Sequence, residues 1–189
     1  MTSAQYIVFE GLEGCGKSTH VTRLAATLNG IATREPGGTA LGATLRATMA
    51  DTSNTALSPR AEALMMPADR AQHLNEVGKP ALAEGRHVVS DRSVYSSLAY
   101  QGYGRMLDID ELRYINNWAI GGRWPDLVVF INVPLDVLHE RLKRRELDRF
   151  EREDRAFFER VLTGYQTLAS ADPARWLTID GLPPKNELE

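Results

Sequence analysis

The residues Gly11-Leu12-Glu13-Gly14-Cys15-Gly16-Lys17-Ser18 fill every fixed position of the pattern G-x-x-x-x-G-K-[ST]. This pattern works in one setting only: a strand must deliver the chain to the loop and a helix must lead it away. Both flanks are legible. Tyr6-Ile7-Val8-Phe9 is a β-branched and aromatic run stopped by Gly11, and from Lys17 to Leu28 the apolar residues Val21, Leu24, Ala25 and Leu28 recur at helical spacing. The glycines let main-chain N–H groups turn inward as an anion nest, and the helix start adds its positive end. Phosphate is therefore the intended guest. Lys17, read as an exposed loop lysine, reaches the β and γ phosphates of the guest. The Ser18 hydroxyl, followed by Thr19, joins the coordination of Mg²⁺. Cys15 reads as a small residue tolerated in the loop, because the chain has no second cysteine to resolve it.

The alternation of strand and helix continues. His87-Val88-Val89, Asp126 to Val133 and Trp176-Leu177-Thr178-Ile179 read as further buried strands. Ser58-Pro59 with Glu62 opens a helix through about Val77, which Pro80 closes. Pro134 begins another helix, and Asp154 to Leu168 carries Phe157, Phe158, Val161, Leu162 and Tyr165 at helical intervals. At 189 residues this implies one α/β domain, a parallel sheet covered by helices on both faces. Ligands bind such sheets at the carboxyl ends of the strands.

A net charge of −3 gives no global basic footprint for nucleic acid. The lone cysteine excludes an intramolecular disulfide, and the apolar runs are too short to span a bilayer, so a cytoplasmic setting with no membrane partner is expected. The N-terminus lacks the features of a signal peptide.

Val88-Val89-Ser90-Asp91-Arg92 puts an acid and a base at a strand end, where Asp91 can hold Mg²⁺ through water and Arg92 can face a phosphate. Arg34 and Arg46 flank a glycine-rich turn; each alone reads as a surface charge.

In order along the chain stand the loop with Glu13, Thr33-Arg34-Glu35-Pro36-Gly37-Gly38-Thr39, Ala68-Asp69-Arg70-Ala71-Gln72-His73, Asp91-Arg92, Ser96-Ser97-Leu98-Ala99-Tyr100-Gln101-Gly102 and Asp148-Arg149-Phe150-Glu151. Together they resemble the thymidylate kinase family from about Tyr6 to Tyr165. The resemblance implies a P-loop NTPase fold with a five-stranded parallel sheet, a Mg²⁺-ATP donor site at Gly11 to Thr19, a dTMP site across the cleft, transfer of phosphate to dTMP on the way to dTTP, and a homodimer. By the same carry-over Arg70 and Ser97 hold the base, Arg46 and Arg92 hold the dTMP phosphate, and Gln101 lines the acceptor site. Tyr100 crowds the sugar 2′ position, and Glu13 approaches the 3′-hydroxyl or the nearby metal and arginine network, with Glu35 in the same region.

Phosphoryl transfer needs cations that follow the charge on the moving group. One branch of the family places an arginine inside the P-loop, and here Glu13-Gly14-Cys15-Gly16 has none. The other branch uses a basic lid, which the segment 141–152 resembles, with Arg141, Lys143, Arg144, Arg145 and Arg149. Arg149 is the first candidate and Arg144 the next. The chain departs from the family in having Met66 and Pro67 where an aromatic residue stacks on thymine, and Pro67 is expected to kink its helix. Met66 is flexible enough to cover a base face, and it leaves open a kinase for dUMP or a modified pyrimidine. A P-loop protein that binds nucleotide without transfer is the alternative from another class. A second departure is the C-terminus, where Pro183-Pro184 and a short charged tail stand in place of the family's helix.

Overall fold

All five residues of Tyr6–Glu10 are buried. Successive strand residues point to opposite faces, so such a run needs cover on both sides of its sheet. In the computed structural model, which describes residues 3–143 and 146–183, this run is β1, the middle strand of five. The others are β2 (Ile31–Arg34), β3 (Val88–Asp91), β4 (Leu127–Asn132) and β5 (Trp176–Asp180). Their order is β2-β3-β1-β4-β5, and every pairing is parallel. The expected fold class is thus the observed one. Because β1 and β3 are adjacent, the loop after Glu10 and the Asp91-Arg92 pair emerge side by side, with Phe9 opposite Asp91 in the ladder.

Eight α-helices are described: α1 (Lys17–Thr27), α2 (Ala40–Ala50), α3 (Pro59–His73), α4 (Lys79–Ala83), α5 (Val94–Ser97), α6 (Ile109–Ile120), α7 (Leu135–Leu142) and α8 (Arg155–Ala171). Their starts follow local chemistry. Ser58 accepts from the Ala61 N–H at 3.2 Å, with Pro59 in the first turn, and Asp154 accepts from the Phe157 N–H at 2.7 Å. Thr39 caps α2 through the Gly42 N–H at 3.0 Å.

One expectation about proline is corrected. Pro80 does not close its helix: it stands in the first turn of α4, where a missing N–H costs nothing, and the helical path runs on to Ala83. Pro67 lies inside α3, which continues to His73. The departure from α geometry comes further on, as a π-helical turn at Leu74–Gly78, and a second such turn, Leu98–Gly104, follows α5. That second turn carries Tyr100 and Gln101.

The core gathers β1 and β4 with the inner face of α8. Phe130 stacks on Tyr165 with ring centroids 5.3 Å apart, and both are almost wholly buried. An aromatic pair of this kind adds about 0.5–1.5 kcal/mol beyond its area. No helix among the described residues is long and apolar enough to cross a membrane.

Candidate active site

A cleft of about 570 Å³ opens at the carboxyl ends of β1, β2 and β3, lined by the P-loop, the Arg34–Gly38 turn, Asp91, Arg92, Tyr100 and the 148–151 segment. The loop takes its shape from its glycines. Gly11 has φ +142°, and a Cβ there would stand 2.7 Å from the Ile131 carbonyl oxygen. Gly16 enters α1 at φ +102°. Both conformations favour glycine.

Lys17 lines the cleft but is not the exposed lysine expected from sequence; its residue exposure is 6%. Its Nζ donates to the Gly11 and Leu12 carbonyls at 3.0 and 2.9 Å, with the Cys15 Sγ at 3.6 Å. The ammonium is held by its own loop, within the ring of main chain that would surround a phosphate. Ser18 Oγ donates to Asp91 Oδ2 at 2.6 Å. A hydroxyl and a carboxylate oxygen at one point are hard donors of the kind Mg²⁺ takes, and Mg²⁺ keeps several waters and phosphate oxygens of its own. The chemistry of this pair, one neutral and one anionic oxygen at the mouth of the P-loop, fits that ion.

Across the cleft Arg92 is fixed by four partners. Nη1 donates to Ser96 Oγ and Tyr165 OH, each at 3.1 Å, and Nη2 to Glu13 Oε1 at 2.6 Å and Tyr100 OH at 3.2 Å. Its φ of +72° is left-handed, a conformation that costs energy for a residue with a Cβ and recurs at functional sites. Tyr100 also donates to Glu13 Oε2 at 2.5 Å. Burial pulls the Glu13 carboxyl upward, but Arg92, Lys17 and the Tyr100 hydroxyl outweigh it and hold the acid below the usual range. Beneath them lies Glu10, fully buried, accepting from Ser93, Ser96 and Tyr165 hydroxyls at 2.7, 2.6 and 2.9 Å. Here burial wins, and the Glu10 carboxyl is raised.

A third group is deeper. Glu35 lines the cleft, and its Oε2 meets Arg70 Nε at 2.6 Å while Oε1 meets His73 Nδ1 at 2.7 Å. A carboxylate only accepts, so Nδ1 carries a proton, and Nε2 lies 2.7 Å from the Thr33 hydroxyl oxygen. Burial raises the Glu35 carboxyl, but Arg70 and His73 more than reverse that and leave it lowered. Arg70 further donates through Nη1 to Ser97 Oγ at 3.2 Å and to Asn116 Oδ1, and through Nη2 to the Ser93 carbonyl at 2.9 Å.

Of the acceptor-side residues expected from sequence, Glu35, Arg46, Arg92, Tyr100 and Gln101 line the cleft, whereas Met66, Arg70 and Ser97 do not. Arg70 is 2% exposed and sits behind Glu35. Sequence reasoning missed Asn116, His73 and Thr33. His73 stood inside a quoted motif, so the missing signal was its pairing across 38 residues with Glu35.

Arg144 and Arg145 lie outside the described residues. Arg149 is described but does not line the cleft. It donates from its main-chain N to the Ala50 carbonyl at 3.1 Å, from Nε to the Met49 carbonyl at 2.7 Å, and from Nη2 to Glu62. Arg141 behaves otherwise than a free lid cation: its Nη1 donates to the Gly14 carbonyl at 3.2 Å, joining α7 to the P-loop.

The sequence profile of the thymidylate kinase family matches residues 9–189. The thymidylate kinase of Desulforudis audaxviator is 45% identical over 184 residues, covering 94% of this chain and 83% of its own length. That of Nitratidesulfovibrio vulgaris is 44% identical over 196 residues, covering 97% and 91%. The crystal structure of thymidylate kinase from Ehrlichia chaffeensis superimposes with a TM-score of 0.79 at 29% identity, covering 98% of this chain and 92% of that one. With its P-loop, its Asp91-Arg92 strand end and its full-length match in sequence and in fold, the chain belongs to the thymidylate kinase family.

Proposed function

We propose that the chain transfers the γ-phosphoryl group of ATP to the 5′-phosphate of dTMP, releasing dTDP and ADP, with Mg²⁺ held at Ser18 and Asp91. The observation that carries this reading is one cleft with cations on two sides: Lys17 in the P-loop for the donor, Arg92 and Arg46 for a second phosphate. A nucleotide switch needs only the first. Mg²⁺, when bound, neutralises charge on the donor phosphates. The chain's own residues do the rest. The loop N–H groups and Lys17 bind the donor; Arg92, immobilised by Glu13, Ser96, Tyr100 and Tyr165, presents fixed positive charge to the acceptor and needs no reorganisation.

Tyr100, 5% exposed and tied to Glu13 and Arg92, leaves little room for a ribose 2′-hydroxyl. Arg70 and Ser97 act on the base from behind the cleft wall, Arg70 through Glu35, and Met66, which lies outside the cleft lining, supplies no stacking ring. The whole chain acts as one domain, with the 141–152 segment as lid and Arg144, Arg145 and Arg149 among its cations. A cytoplasmic homodimer fits the exposed Tyr114 and Trp118, one turn apart on α6 at 77% and 79% exposure, because exposed aromatics so placed suit a partner surface.

ADP release measured with a panel of monophosphates tests the reading. dTMP is expected to be turned over fastest, with dUMP far slower. A preference for dUMP would assign the acceptor site to that base instead, and ATP binding without ADP release on any monophosphate would overturn the kinase reading.

A further inference from the structure

Glu62 has no solvent exposure, yet it collects cations and donors from two distant parts of the chain, 101–105 and Arg149. Its Oε1 accepts from Gln101 Nε2 at 2.8 Å and from Arg105 Nε at 3.3 Å. Its Oε2 accepts from Arg105 Nη2 at 3.1 Å and from Arg149 Nη2. Arg105 in turn pairs with Glu153 at 2.6 Å. Two arginines and two carboxylates balance, which is what a buried ionic group requires.

The partners are not scattered. Gln101, Ala50, Asp148, Phe150 and Glu151 line the cleft, and Glu62 stands behind them. Arg149 reaches it while donating to the last two carbonyls of α2, those of Met49 and Ala50. The Arg149 guanidinium lies 4.6 Å over the Phe150 ring, and Phe150 meets Tyr100 edge-on with centroids 6.4 Å apart. Asp148 and Glu151 close the turn reciprocally, Glu151 N–H to Asp148 Oδ1 at 3.0 Å and Asp148 N–H to Glu151 Oε2 at 3.1 Å.

We infer that Glu62 is a positioning residue for the acceptor side, the buried anchor that fixes the 148–153 segment against α2 and Tyr100, and that Arg149 is the strap by which it holds on. The second half of the lid is then a fixed wall. The cation that meets the transferring phosphoryl group comes from another residue, and Arg149 acts on dTMP binding through Phe150, Asp148 and Glu151. The inference rests on the acceptor reading of this cleft, but its first test does not.

The test compares the full-length wild type with Glu62→Gln and, because a buried substitution can harm folding, with Arg149→Met, which removes the strap from the partly exposed side. Amide hydrogen exchange of peptides covering 146–153 is measured without nucleotide. Both variants are expected to exchange there about tenfold faster, the change that about 1.4 kcal/mol of lost anchoring produces, while β1 and β4 keep their protection. In kinetics both raise the KM for dTMP with little change in the KM for ATP, and the double variant adds nothing to either single one. Unchanged exchange in 146–153 in the Arg149→Met protein overturns the inference, whatever the substrate proves to be. So does an Arg149→Met variant that loses kcat with both KM values intact, which would make Arg149 the transferring cation.

Discussion

Arg70 Nε and Glu35 Oε2 meet at 2.6 Å with side-chain exposures of 3% and 1%, so the carboxylate that lines the cleft is held from behind by a guanidinium itself withdrawn from water. Removing one member of a buried pair leaves an uncompensated charge and costs about 3–5 kcal/mol. Glu35→Gln is therefore expected to unfold at markedly lower denaturant concentration at neutral pH. The folded-state acid is lowered below its ordinary value of 4.5, so its contribution is present above that pH and is lost as the pH falls through the folded value. Glu35→Gln lacks this term, and its stability should fall less than that of the wild type between about pH 5 and 3. Denaturant titrations at both pH values check this; equal stability at pH 7 would show that the pair contributes nothing.

Lys17→Ala is expected to lower kcat by about 10²–10³, the usual loss when one preorganised donor to developing charge is removed. The same change frees the Gly11 and Leu12 carbonyls, so a stability loss of about 1–3 kcal/mol accompanies it. Steady-state kinetics and thermal denaturation on one preparation separate the two effects. Near-normal kcat would remove Lys17 from the reaction.

Much of this was legible because it is local. The strand, loop and helix around Gly11 to Ser18 lie within one contiguous stretch, and Asp91-Arg92 follows a run of buried β-branched residues. What the sequence hid is long-range. Glu62 reads as an acid in the first turn of a helix, and nothing nearby announces that Arg149, 87 residues away, will reach it. Pro80 misled for a related reason: proline ends a regular α-helix, but the π-helical turn before it restarts the helical numbering, so that the ring falls in a first turn. Arg149 stood in a basic segment that read as a lid, and nothing local announced that Met49, Ala50 and Glu62 supply it with fixed acceptors.

Tyr100→Ala should reduce the preference for dTMP over its ribose counterpart by about 10- to 200-fold, since a pocket wall discriminates small groups by about 1–3 kcal/mol. Tyr100→Phe keeps the ring and should retain the preference while weakening dTMP binding, because Glu13 and Arg92 each lose a hydroxyl partner. Competition between the two monophosphates gives the ratio directly. Unaltered discrimination in Tyr100→Ala would assign sugar selection to another residue.

Asp91→Asn preserves the shape beside Ser18 and removes the charge. The Mg²⁺ concentration for half-maximal activity is expected to rise about 10- to 100-fold, the range found when groups supporting a metal are altered. Titration of activity with Mg²⁺ at saturating ATP reads it. A midpoint equal to that of the wild type would leave Asp91 as a partner of the Ser18 hydroxyl alone.

The ladder that sets Phe9 opposite Asp91 also separates geometry from genealogy. Seventy-two residues stand between Ser18 and Asp91, yet their separation is decided by one hydrogen-bonded register and the short P-loop that follows it, and not by the length of chain that joins them. Turns such as 51–57 can therefore lengthen or shorten between relatives without moving the two oxygens apart. A slip of one residue in β3 would turn Asp91 to the other face of the sheet, which makes the strand pairing far less forgiving than the loops it connects.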